Sequence, residues 1–244
     1  MGPRPIPRYV YIPQWGLRDV PDEVSADPRS RAEVLLAALV SGLRSLAVVL
    51  GLAALVHLAR YVLIVVNKSM PVPAWTDWTS SVLVMFVGLL ALGAYVYVFV
   101  VFTRWIIDLR AETYRSRDRR DPRPRWQIAV LAAVPLLNVA GAALLLHEVA
   151  RLRDDLDPDR TRRRFTRIWV AWTIVNVLAL VAIATRVVAM FSGSIQTAAN
   201  GLAAVIISSI CSAVFAWWLA DRLAAVFGAA HAEPVPSRRW VTVG

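Results

Sequence analysis

The chain has 244 residues, 58% of them hydrophobic, and a formal net charge of +10. With a mean hydropathy of +0.55, this composition excludes an ordinary soluble domain and identifies an integral membrane protein. So basic a soluble protein would suggest nucleic acid as a partner, but here the arginines read as an orientation signal that also suits anionic lipid heads, and no nucleic acid is expected.

Residues 1–30 are polar and proline-rich and lack a basic-then-apolar start, so no cleavable signal peptide is expected. Prolines at 3, 5, 7 and 13 favour an extended chain. It carries Tyr9, Tyr11, Ile12 and Trp15, a set aromatic enough to dock on a partner or on the protein's own loops.

Ser30-Arg31-Ala32-Glu33 reads as a capping box before the first apolar run. A helix from there to Val66 would be about 54 Å long at ~1.5 Å per residue. That exceeds the ~30 Å hydrocarbon core, so its first turns should project beyond it. Spans are predicted at about 45–66, 78–103, 168–190 and 195–220, within a transmembrane domain of residues 31–225 followed by a tail of 226–244. Arg60 and Arg186 near one end are expected to snorkel to headgroups, with pairing to a neighbouring helix as the alternative. His57, one turn before Arg60, is expected to pack or hydrogen-bond. Pro71 and Pro73 break the chain before the second span.

A fifth apolar stretch, about 126–147, poses a conflict. It lies between loops 104–125 and 148–167, which hold eight and seven arginines. If it crossed the bilayer, those loops would face opposite sides and the basic residues would divide 15 against 12. If it enters and returns, 24 of the 27 fall on one side, leaving Arg60, Lys68 and Arg186 on the other. The positive-inside bias selects the second arrangement. The re-entrant turn is placed at Pro135 and Asn138, because proline breaks the helical ladder and Asn can cap the freed groups. Each arm, about ten residues or ~15 Å, would reach half the core. Trp105, Trp126, Trp169, Trp172, Trp217 and Trp218 form one predicted interfacial belt, and Trp75 with Trp78 the other.

Asp157-Pro158 is an N-cap followed by proline at the first helical position. The next turns bring Arg163, Arg164 and Arg167, which with Arg104 and Arg110 are the predicted lipid-head contacts. Ser192-Gly193-Ser194 makes a tight turn before the last span. That span carries Asn200, Ala204, Ser208, Ser212 and Ala216 at four-residue spacing. Small residues allow close helix approach in a membrane, so this stripe packs either on the protein's own helices or on a partner. The lone Cys211 reads as a packing residue.

His147-Glu148-Val149-Ala150-Arg151 has an arginine where a zinc-protease helix needs its second histidine. There is no glycine-rich phosphate loop and no serine with evident His and Asp partners. Neither catalysis, a metal nor a cofactor is expected, and His147 and Glu148 read as dispensable.

Phe102-Thr103-Arg104-Trp105, Arg110, Trp126, Pro135-x-x-Asn138, Glu148, and then Trp169 and Trp172 resemble an actinobacterial polytopic membrane family known only as a domain of unknown function. The resemblance covers roughly residues 80–225. Its pattern has a second proline after the turn, where this chain has Ala140-Gly141. The N-terminal Arg8-Tyr9-x-x-Ile12-Pro13-x-Trp15-Gly16-Leu17 resembles mycobacterial members. That resemblance implies a non-enzymatic subunit beside the YrbE-type permease of an Mce-type lipid or fatty-acid importer. The expectation is thus an all-α membrane bundle of four spans plus a re-entrant helical element. It sits in the inner (plasma) membrane, touches membrane lipids and keeps both termini cytoplasmic. The alternative role is an independent small transporter or channel formed by self-association.

Overall fold

A computed structural model describes residues 30–67, 69–134, 136–153 and 157–228. These form six helices and, among the described residues, no strand: α1 (Arg31–Val66), α2 (Ala74–Arg115), α3 (Arg125–Ala133), α4 (Leu137–Leu152), α5 (Pro158–Ser192) and α6 (Ile195–Phe227). Four of them, α1, α2, α5 and α6, are long and apolar enough to cross a membrane.

The helix ends follow local chemistry. The Asp157 carboxylate accepts from the backbone N–H groups of Asp159 and Arg160 at 3.0 and 3.3 Å, and Pro158 opens α5. Gly193, at φ +60°, ends α5 in the left-handed conformation, and Ser194 then caps α6 through Thr197 N–H. The Ser192–Ser194 turn is as tight as the sequence predicts.

At 36, 42, 35 and 33 residues, the long helices run about 50–63 Å, well beyond a ~30 Å core. The surplus lies at one end. Arg31 pairs with Asp108 at 3.2 Å, and the Trp105 ring meets Phe227 at 5.2 Å. The start of α1, the end of α2 and the end of α6 are therefore level. We refer to this as the arginine end.

The fifth apolar stretch is the α3–α4 hairpin. Arg123, just before α3, bonds Glu148 near the end of α4 at 2.6 Å. Entry and exit thus lie together, and the segment turns back instead of crossing. Both arginine loops consequently share one end, as the charge arithmetic requires. Asn138 N–H donates to Val134 O at 2.9 Å across the break, and Leu136 adopts φ +68°. Pro135 lies outside the described residues. The Asn138 side chain is buried, and among the described residues its Oδ1 has no hydrogen-bond partner, so none of these receives from it the cap that the sequence suggested.

Nine residues of α3 climb ~14 Å, and the apolar Leu136 and Leu137 at the tip are exposed.

Along the spans, apolar side chains such as Leu55, Phe86 and Ile183 face outward, as lipid-facing residues do. The dense core sits at the arginine end, where Trp105, Ile106, Leu145, Phe165, Ala220 and Phe227 are buried together. There the helices leave the hydrocarbon, and burying apolar surface from water drives packing, which lipid cannot do. Trp105 is accordingly a core residue, 1% exposed, and not part of an interfacial belt. Trp169 and Trp172 also pack against the core. Trp126, Trp217, Trp75 and Trp78 stay exposed.

At the opposite end Arg60 does not simply snorkel. It pairs with Asp77 of α2 at 3.3 Å and donates to Ser80 Oγ, fixing α1 against the start of α2. His57 hydrogen-bonds the Ala53 carbonyl through Nδ1 at 2.7 Å. Arg186 is exposed, and Cys211 is half-buried.

Candidate functional site

The most organised polar cluster lies at the base of the hairpin. Arg110 falls on the same face of α2 as Phe102, Ile106, Leu109 and Thr113, all buried, so the helix carries its guanidinium inside. Burying an unpaired charge would cost several kcal/mol, roughly. Here it is paired on both sides. Nε and Nη2 donate to the two Asp121 carboxylate oxygens at 2.8 Å each, a bidentate fork. Nη1 donates to Glu148 Oε2 at 2.7 Å, and the guanidinium lies 5.3 Å from the Tyr114 ring centre.

Asp121-Pro122-Arg123-Pro124 supplies the other half. Residues two apart in an extended segment project to the same side, and the flanking prolines disfavour helix. Arg123 N–H donates to Asp121 Oδ1 at 3.0 Å, closing an Asx-type turn. The Arg123 side chain reaches both Glu148 oxygens, at 3.2 and 2.6 Å. Two arginines and two carboxylates thus form a neutral clasp joining α2, the loop before α3, and α4.

The clasp sets the acidity of its members. Burial works to raise the Asp121 pKa, but the hydrogen bonds from Arg110 and from Arg123 N–H hold it below the usual carboxylate range. The hydrogen bond from Arg123, opposed by burial and assisted by Arg110, does the same for Glu148. Carboxylates depressed in the folded state contribute stability above their unfolded pKa values, about 3.9 and 4.3, and lose it as pH falls through the folded values. Stability should therefore change little between pH 7 and 5 on this account and fall steadily below about pH 4. Thermal denaturation against pH checks this, and Glu148→Gln should flatten the acid limb.

His147 and Glu148 do different work from what the sequence suggests. Glu148 is the structural partner of two arginines. His147 packs edge-on against Phe165 at 5.3 Å. Burial, then the nearby Arg151 and Arg162, lower its pKa. No group of three or more His, Cys, Asp or Glu suited to a metal occurs among the described residues.

Of the predicted lipid-head contacts, Arg110 is corrected. It is 0% exposed and both its carboxylate partners are protein groups, so no headgroup reaches it. Arg104, Arg163, Arg164 and Arg167 are exposed, and Arg163 and Arg167 line a shallow cleft with Asp159, Arg162 and Thr166. The α6 stripe is also corrected as an outward docking face. Ser208 and Ala216 are buried, and Ala204 and Ser212 half-buried, because α6 packs between α1 and α5. Only Asn200 of the five is exposed, and its Oδ1 accepts from Gln196. Tyr9, Tyr11, Ile12 and Trp15 lie outside the described residues.

Sequence reasoning missed Asp121 and Arg123. The available signal was the Asp-Pro-Arg-Pro spacing together with an arginine on an otherwise apolar helical face.

Four apolar membrane-length helices, with a hairpin clasped at one end, define an all-helical membrane-type protein. The family described as Domain of unknown function (DUF4328) matches residues 68–226, and the chain belongs to it. No curated protein and no solved structure matches the chain.

Proposed function

We propose that this protein is a non-catalytic accessory subunit of a transport complex in the inner (plasma) membrane, with both termini cytoplasmic. In the finer reading it serves lipid or fatty-acid uptake as LucB does, the lipid uptake coordinator of the Mce-type importer, and docks on the YrbE-type permease through its transmembrane helices. The observation that carries the accessory role is the use of the buried charge. Arg110, Asp121, Arg123 and Glu148 neutralise one another and hold the hairpin on α2, while broad apolar faces of the spans stay uncovered. Such faces suit lipid and partner helices alike. The cytoplasmic assignment draws on the arginines gathered at one end. The finer reading rests on the N-terminal resemblance.

Purification in mild detergent tests this. The expected result is a permease at stoichiometric amounts, with less of it after deletion of residues 1–20 although insertion is unchanged. A homo-oligomer without permease would favour the self-associated transporter and overturn the accessory role.

A further inference from the structure

Around the bundle, α2 packs on α1, α1 on α6, and α6 on α5, but α5 does not pack back on α2. The ring of spans is open between α2 and α5. It is closed only at the arginine end, where α4 contacts both helices and the Phe102 and Trp172 rings meet at 6.1 Å. Above that closure lies a cavity of about 190 Å³ bordered by all four spans, including Leu46, Tyr95, Phe99, Asn176, Ala179 and Ser212. No charged side chain lines it. Asn176 Nδ2 is already bonded to Trp172 O at 2.9 Å, so it adds little polarity to the wall.

An apolar cavity of roughly 150 Å³ stays dry and takes up hydrocarbon. One of this size, set in the apolar length of four spans and open sideways, has lipid chains as its neighbours. At about 190 Å³ it is too small for a two-chain lipid body. We propose that the groove between α2 and α5 is a binding site for a segment of one alkyl chain, entering sideways from the leaflet at the arginine end. The Phe102–Trp172 contact forms its floor. The groove lies just before Arg104, where the apolar stretch of α2 ends, so a chain whose headgroup sits among the exposed arginines can reach it. The inference uses the groove alone and does not depend on the permease partnership.

The test uses the full chain in phosphatidylglycerol vesicles containing a phospholipid with a photoreactive diazirine in its acyl chain. Adducts are mapped by mass spectrometry. Tyr95, Phe99, Ala179 and Ser212 should label about fivefold more than outward residues such as Phe86 and Val177, a preference of about 1 kcal/mol. Unlabelled oleate should compete saturably at the groove only. Ala179→Phe should abolish the excess while Val177→Phe leaves it. Even labelling around the spans, or groove labelling that oleate does not reduce, would overturn the proposal in the unaltered protein, whether or not Ala179→Phe folds. Because no permease is present, failure here is distinct from failure to find a transport partner.

Discussion

Arg110→Met should lower stability by about 3–5 kcal/mol, because it removes the shared partner of a buried charge network, leaving Asp121 without a guanidinium and Glu148 with Arg123 alone. For a chain of this size that corresponds to a fall in Tm of about 6–20 °C. The fork to Asp121 uses two nitrogens of one planar group, so lysine, a single point donor, should not restore it. Arg104→Met, six residues away on an exposed position, should change stability by no more than about 0.5 kcal/mol. Thermal denaturation in detergent makes the comparison. Equal effects at the two positions would mean that the clasp does not hold the hairpin.

Gly141→Leu should be the second severe change. A Cβ added at Gly141 would lie 2.4 Å from the Leu131 carbonyl oxygen and 2.9 Å from Leu131 Cβ. The obstacle is largely backbone of the facing arm, so the arms must separate. Even Gly141→Ala should lose about 1–3 kcal/mol to overpacking, although alanine is a better helix former than glycine by about 1 kcal/mol. Gly93→Ala meets nothing within 4 Å and should be neutral or slightly stabilising. Opposite signs at the two glycines, read as Tm, are the expected outcome. A neutral Gly141→Leu would contradict the packed hairpin.

Much of the architecture was legible because it depends on charge and length. The arginine distribution could be reconciled with a one-sided bias only if stretch 126–147 turned back. Asp157-Pro158 and Ser192-Gly193-Ser194 mark helix ends through interactions within a few residues. The site was less legible because it depends on distant partners. An arginine in an arginine-rich segment ordinarily faces water or headgroups, and nothing local reveals that Asp121 and Glu148 will enclose Arg110. Glu148 looked like a fragment of an incomplete metal motif because its partners lie 25 and 38 residues away. For the α6 stripe, periodicity defined a face but not its neighbour; α1 and α5 took that place. Trp105 looked interfacial by type, yet the helices continue past the apolar layer and enclose it in a core.

Residues 125–152 turn back, which brings both arginine loops to one end of the bundle. The direct measurement places single cysteines at Arg119, Arg160 and Ser194 in a Cys211→Ala background and applies an impermeant thiol reagent to intact cells and to inverted vesicles. Positions 119 and 160 should be shielded in cells and labelled in inverted vesicles, with position 194 reversed. Labelling of 119 and 160 from opposite sides would make α3–α4 a crossing segment and contradict the hairpin.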